Sequence, residues 1–226
     1  MNTEYIYEPN KNKELGGSEA IIMLPDIYMQ TEYSKQTAEK FAEAFKRRVF
    51  MLDYFFISTH QKNTFSENDR EQIMPLFQNF KGDDFKDFFK KVLGEIKSAS
   101  PTLKNFAVIG FCFGGRLAYI AGREPEISIV ISFYGGGANT PNYVDGKSPS
   151  EYLADRKDIK IVSFFGTEDP SISEEDRKIL KEKFAGMAYE THEYPVGHAY
   201  FQEGRKNFDE MASKNSWEVL RKIFNG

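Results

Sequence analysis

Eight residues near the middle of the chain, Val108-Ile109-Gly110-Phe111-Cys112-Phe113-Gly114-Gly115, constrain its fold more than any other stretch. An apolar run ends there in Gly-x-Cys-x-Gly. That is the pattern of a nucleophile elbow, with cysteine at the place usually held by serine. Such an elbow is a sharp strand-to-helix turn that holds a nucleophile above the end of a parallel sheet. Glycine is needed on either side of Cys112, because side chains at Gly110 and Gly114 would clash where strand and helix crowd together. Cys112 is the only cysteine of the chain, so an intrachain disulfide is excluded. A lone cysteine is also often a small buried hydrophobe, and only its partners can separate the two readings.

A cysteine nucleophile needs a base, and the base needs an orienting acid. The chain has three histidines. In elbow enzymes the chain order is nucleophile, acid, histidine, so His60, which precedes Cys112 in a polar loop, fits poorly. His192 lies in the alternating run Tyr189-Glu190-Thr191-His192-Glu193-Tyr194 and reads as a strand residue at a sheet edge. His198 follows that strand in Pro195-Val196-Gly197-His198-Ala199-Tyr200, on a loop at the rim where a base is needed. The acid should follow a strand between Cys112 and His198. The run 159–165 is such a strand and leads into Gly166-Thr167-Glu168-Asp169-Pro170. Asp169 is favoured, Glu168 is its neighbour and competitor, and both also suit an ordinary turn before proline.

With those residues in place, the chain resembles the dienelactone hydrolase family of the α/β-hydrolase fold. Four stretches carry the likeness: Leu24-Pro25-Asp26-Ile27-Tyr28, Gly110-Phe111-Cys112-Phe113-Gly114-Gly115, Gly166-Thr167-Glu168-Asp169 and Gly197-His198-Ala199-Tyr200-Phe201. Tyr134-Gly135-Gly136 is similar to the strand-end segment after the elbow helix. The resemblance implies a Cys112–His198–Asp169 triad and an oxyanion hole that includes the backbone N–H of Ile27. Elbow geometry supplies the second N–H, from Phe113. Asp26 stands where the family often has a glutamate that interacts with the thiol, and it is one methylene shorter. It is therefore a candidate for activating the thiol or for lining the site. Family members that act on dienelactone hold the substrate carboxylate with arginines, one of them four residues after the histidine. Here that position is Gln202, while Arg205 follows three residues later.

The rest of the chain alternates strand and helix patterns. Apolar runs at 20–25, 49–53, 106–109, 127–133 and 159–165, with the alternating run 188–194, read as strands. Helical spacing appears at 34–48, with Ser34 as N-cap and Ala38, Phe41, Ala42 and Phe45 on one face. It appears again after a cap at Asp83 or Asp84, through Phe85, Phe88, Phe89, Val92 and Ile96, and in 116–121, 174–184 and 208–224. In the last of these Met211, Trp217, Leu220 and Phe224 read as core. Residues 57–70 and 135–152 read as loops near the site. This alternation predicts one α/β domain over 1–226, with a mostly parallel sheet and helices on both faces. Its N-terminal edge is short, with room for about one strand near residues 5–8.

Composition narrows the function classes. The 226 residues carry a formal net charge of −4, and no basic face for nucleic acid is expected. No Cys-x-x-Cys or His-x-x-x-His spacing marks a metal site, and no cofactor is required. Residues 1–17 hold no apolar signal core, and no run is long enough to span a membrane. A reducing cytoplasm is the expected setting. The expected partner is a small ester or lactone substrate, and the expected assembly is a monomer or a weak homo-oligomer. With 21 Phe and 12 Tyr the core should be rich in rings. Tyr28, Phe111, Phe113, Tyr134, Tyr200 and Phe201 are candidates for the rim, although at least half of such rings should simply pack.

These residues predict acyl transfer to water through Cys112, His198 and Asp169. Two other classes remain open at this level. One is a thiol-based redox or electrophile-binding protein, which would use Cys112 but not the Asp169–His198 couple. The other is a binder that keeps the pocket and does no chemistry.

Overall fold

The computed structural model describes residues 4–141 and 146–225. Seven strands form one sheet: β1 (Ile6–Tyr7), β2 (Glu19–Leu24), β3 (Arg48–Leu52), β4 (Asn105–Phe111), β5 (Ile127–Phe133), β6 (Lys160–Gly166) and β7 (Ala188–Tyr194). Their spatial order is β1-β3-β2-β4-β5-β6-β7, and every pair is parallel except β1 with β3. The expected trimmed N-terminal edge is the two-residue antiparallel strand β1. The strands between β2 and β6 are almost wholly buried, which is why they read as unbroken apolar runs.

Among the described residues seven helices join and cover the sheet: α1 (Glu32–Phe45), α2 (Phe56–Thr59), α3 (Arg70–Gln78), α4 (Gly82–Ala99), α5 (Phe113–Ala121), α6 (Glu174–Lys183) and α7 (Glu210–Asn225). The sheet grows one way from β2 to β3 and the other way from β4 onward, so the crossover helices fall on opposite faces. Phe45 of α1 meets Phe224 of α7 at 4.6 Å on one face. On the other, Tyr119 of α5 stacks on Phe184 at the end of α6. The reversal also opens a switch point between β2 and β4, where the carboxyl ends of two neighbouring strands lead away in opposite directions. Open α/β sheets bind ligands at such points.

The phenylalanine content builds a ladder through the sheet. Phe111, Phe133, Phe164 and His192 are register partners on β4, β5, β6 and β7. Their rings stack in sequence at 5.0, 4.3 and 5.1 Å. Phe201 caps the ladder against Phe111 and Phe133, and Trp217 of α7 stacks on Phe201 at 5.6 Å. His192 is thus the last rung of an aromatic stack on an edge strand.

Several local expectations are corrected. The N-cap of α1 is Thr31, whose hydroxyl accepts the Ser34 N–H at 3.2 Å, and Ser34 lies inside the first turn. Arg48 belongs to β3, because Lys46 turns left-handed and ends the helix. Neither Asp83 nor Asp84 caps α4. The cap position is Lys81, and both aspartates lie in the first turn, where they face the positive end of the helix dipole. Met211 is 66% exposed, one position outside the buried stripe of α7. The loop expected at 57–70 contains the end of α2 and a short 3-10 turn at Glu67–Asp69, and leads into α3. Residues 142–145 of the loop expected at 135–152 lie outside the described residues. Its end is a 3-10 turn at Pro149–Leu153.

Candidate active site

Cys112 stands between β4 and α5 with φ 55° and ψ −119°. A residue with a side chain holds that conformation only when its surroundings enforce it. The Cys112 N–H donates to the Phe133 carbonyl at 3.0 Å, and the Arg116 N–H to the Cys112 carbonyl at 3.1 Å. The flanking glycines are steric necessities. A Cβ on Gly110 would lie 2.1 Å from the Gly114 carbonyl oxygen, and one on Gly114 would lie 2.3 Å from the carbonyl oxygens of Leu24 and Pro25. The elbow helix therefore presses directly on the chain leaving β2.

His198 and Asp169 come from the loops after β7 and β6. Backbone bonds zip these loops together: the Thr167 N–H donates to the Tyr194 carbonyl at 2.8 Å, and the Glu168 N–H to the Val196 carbonyl at 3.1 Å. Asp169 is buried, and its Oδ2 accepts a hydrogen bond from His198 Nδ1 at 2.6 Å. Glu168, the competing acid, is exposed. Asp169 Oδ1 accepts the Ser171 N–H at 2.9 Å and the Ser171 hydroxyl at 2.6 Å. Ser171 also lies 3.3 Å from His198 Nδ1. Sequence reasoning missed this serine. Its signal was Asp169-Pro170-Ser171, an aspartate that can bond the backbone two residues on.

Burial opposes charging His198, but hydrogen bonds to Asp169 and Cys112, and the charge on both, outweigh it and push its pKa up to about 10. Burial also works against the Asp169 carboxylate, yet the bonds from His198 and Ser171 hold it below the usual range. The Tyr134 ring packs edge-on against the imidazole at 5.0 Å and helps fix its plane.

Asp26, Ile27, Tyr28, Cys112, His198 and Arg205 border a cavity of about 250 Å³, together with Glu67, Ala199, Lys206 and Asn207. The N–H groups of Ile27 and Phe113 have no acceptor among the described residues. Asp26 is buried with both oxygens engaged. Oδ1 accepts the Tyr28 N–H at 3.0 Å, and Oδ2 pairs with Arg205 at 2.5 Å. No hydrogen bond joins it to Cys112 among the described residues, so its place is in the wall of the site. Burial pushes its carboxyl up, against the opposing charge of Arg205. Arg205 also lies over the Tyr28 ring, 4.7 Å from its centroid. Sequence alone could not place this arginine, which reaches Asp26 from a turn-rich stretch 179 residues away.

Gln202 and most of the candidate rim rings lie elsewhere. Gln202 is buried and turns its amide toward Thr37 of α1 at 3.4 Å. Tyr200 is buried with its hydroxyl on Ser216 at 3.1 Å. Phe111 and Phe201 are core rings, Tyr134 is buried against the His198 imidazole, Phe113 faces an aromatic cluster, and Tyr28 borders the cavity. His60 is exposed at the left-handed end of α2. Six non-glycine residues among those described have positive φ. Lys46 and His60 end helices, while Met29, Cys112, Tyr134 and Ala199 lie on the loops that build the site. Strained backbone concentrates where geometry must be held.

A mostly parallel sheet with an elbow after β4, an acid after β6 and a histidine after β7 is the architecture of the α/β hydrolases. Within that class, the chain belongs to the dienelactone hydrolase family, whose sequence profile matches residues 3–226. It is 28% identical over 121 residues to a provisionally assigned carboxymethylenebutenolidase of Synechocystis sp. (strain ATCC 27184 / PCC 6803 / Kazusa), covering 52% of this chain and 48% of the relative. It is 28% identical over 147 residues to carboxymethylenebutenolidase 1 of Cupriavidus pinatubonensis (strain JMP 134 / LMG 1197), covering 65% of this chain and 59% of the relative. The match thus spans about half to three-fifths of these relatives. A crystal structure from Klebsiella pneumoniae subsp. pneumoniae MGH 78578, provisionally assigned as a dienelactone hydrolase, superposes with a TM-score of 0.81. That superposition covers 97% of this chain and 92% of the other at 16% identity, and so speaks for the fold. Among the described residues no helix is long and apolar enough to cross a membrane.

Proposed function

We propose that the protein hydrolyses a small, uncharged ester or lactone through a thioester on Cys112. The observation that carries this reading is the relay Asp169–His198–Cys112. A buried carboxylate sits 2.6 Å from one imidazole nitrogen, the same ring and Cys112 border one cavity, and the cysteine stands on a strained elbow.

The chemistry follows from the charges. His198, whose pKa is raised to about 10, takes up the thiol proton of Cys112 and holds it as the acid for the leaving group. Cys112 Sγ attacks the carbonyl carbon, and the π electrons move to the oxygen. That oxyanion is held by the N–H groups of Phe113 and Ile27, in a site where fixed donors are worth more than water. Collapse expels the alkoxide, which takes its proton from His198. The now neutral imidazole accepts a proton from water as it attacks the thioester. The second tetrahedral intermediate releases the acid and restores sulfur and imidazolium. Asp169 holds the ring in one orientation and stabilises its charged form.

Substrate charge is read from Arg205. Its guanidinium is already neutralised by Asp26, so a substrate carboxylate would have to displace a buried ion pair. The cavity of about 250 Å³ suits a small ring or short ester. The test is a panel of small esters, thioesters and lactones, neutral and carboxylate-bearing, assayed with the wild type, Cys112→Ala and His198→Ala. Turnover of neutral members that vanishes in Cys112→Ala is expected. Folded wild type that turns over nothing, while its thiol still reacts with iodoacetamide, would leave simple thiol chemistry as the better account.

A further inference from the structure

The two proposed oxyanion donors come from different loops. Ile27 follows β2, and Phe113 begins α5. A hole assembled from two loops works only if their spacing is fixed, because a donor displaced by a fraction of an ångström loses most of its effect. One side chain touches both loops. Tyr54, just past the end of β3, is fully buried. Its hydroxyl donates to the Pro25 carbonyl at 3.0 Å, two residues before Ile27. Its ring packs edge-on against Phe113 at 5.7 Å. The Pro25 carbonyl is caught between this hydroxyl and Gly114, where the elbow helix leaves no room for a Cβ.

We propose that Tyr54 is a positioning residue that sets the separation of the two oxyanion donors. This rests on the hydrolase reading above and deepens it. Tyr54 touches neither the sulfur nor the imidazole by any hydrogen bond in the structure. Its effect should therefore appear in steps that generate an oxyanion, and not in the nucleophilicity of the thiol. A second support anchors the same segment. Asp53 is buried and accepts the Asn63 N–H at 2.5 Å, and the Phe65 N–H donates to the Tyr28 carbonyl at 3.0 Å. The chain after β3 thus braces the chain after β2 at both Pro25 and Tyr28, with Ile27 between them.

Two reactions of the same thiol separate the outcomes. Ester hydrolysis passes through an oxyanion, whereas alkylation by iodoacetamide is a direct displacement that does not. Tyr54→Phe keeps the ring and removes the hydroxyl. We expect kcat for the best ester to fall about tenfold, the scale of one lost hydrogen bond. KM should stay within about twofold, and the alkylation rate should match the wild type. Phe113→Leu keeps the Pro25 bond and the Phe113 N–H but removes the ring contact. It should lower kcat in the same direction by a smaller factor, so a poorly folding Tyr54→Phe does not close the question. Binding of a trifluoromethyl ketone, whose carbonyl carbon adds to the sulfur and leaves a hemithioketal oxyanion, should weaken in step with kcat. The role is overturned if Tyr54→Phe hydrolyses at the wild-type rate. It is overturned equally if alkylation falls in parallel with hydrolysis, since the defect would then lie in the thiol–imidazole pair. A wild type that alkylates but hydrolyses no ester overturns the hydrolase reading itself.

Discussion

Two buried aspartates stand at the carboxyl ends of strands, and they are opposites. Asp169, after β6, bonds a cation and is held below the ordinary carboxylate range. Asp53, after β3, is fully buried among N–H groups of Asn63 and Phe56, with no cation bonded to it among the described residues, and burial pushes its pKa up to about 6. The fold uses the same side chain for two tasks. In the proposed relay, a carboxylate is partnered with a movable proton. Where a loop must be tied, it is partnered with fixed amides that keep their protons. Burial alone does not decide which, since both side chains are shielded; the charge of the neighbour does.

The sharpest way to break this contrast is to neutralise each aspartate. Asp169→Asn should lower kcat by roughly 10⁴-fold with little change in melting temperature, because the imidazole loses its orienting and stabilising partner. Asp53→Ala should do the reverse. It orphans the N–H groups of Asn63 and Phe56 and should cost on the order of 2–5 kcal/mol in urea unfolding, while kcat per folded molecule falls less than tenfold. If Asp53→Ala destroyed turnover and left stability intact, the division of labour drawn here would be wrong.

Titration separates the two sites further. A carboxyl raised from 3.8 to about 6 lets the folded chain keep a proton that the unfolded chain has released. Stability from Asp53 is therefore greatest below pH 3.8 and is lost as pH rises to about 6, by on the order of 3 kcal/mol. Asp169 has the opposite sign, with stability present above its unfolded value and lost as pH falls through its folded one. Urea unfolding of Asp53→Asn between pH 4 and 7 should lack the downward slope that the wild type carries. His198 gives a third window. Its raised pKa contributes stability that is complete below 6.5 and lost as pH rises to about 10, and hydrolysis should decline on that same alkaline limb. An activity profile that broke near 7 instead would mean the Asp169 bond does not hold the proton.

The smallest expected effect sharpens the contrast from the other side. Glu168 is adjacent to Asp169 in sequence but exposed. Glu168→Gln should change kcat by less than twofold in a standard ester assay, since surface charges away from partners contribute little.

The sequence placed the strands well where periodicity sets the answer. The bounds of β5 and β7 were readable residue for residue, because apolar runs and alternation end sharply at polar turns. The cap of α1 was misplaced because Thr31 and Ser34 are both good caps, and only backbone φ and ψ show where the helix begins. Met211 was misread because one helical position is enough to move a side chain from core to solvent. Gln202 occupied the right position in a likeness to other sequences, yet its amide points at α1. Arg205 had no periodic context to place it, since its neighbours form successive turns.

By itself the sequence determined the elbow and the chain order of Cys112, Asp169 and His198, the proposed nucleophile, acid and base. Gly110 and Gly114 are needed wherever a strand turns into a helix this tightly, and that is a local steric fact. Only the tertiary structure decided what meets at the site. The Arg205 pair with Asp26, the Ser171 bond to Asp169 and the Tyr54 brace on Pro25 depend on which strand ends lie side by side. The reversal of sheet order between β2 and β4 sets that adjacency, and no spacing in the sequence encodes it.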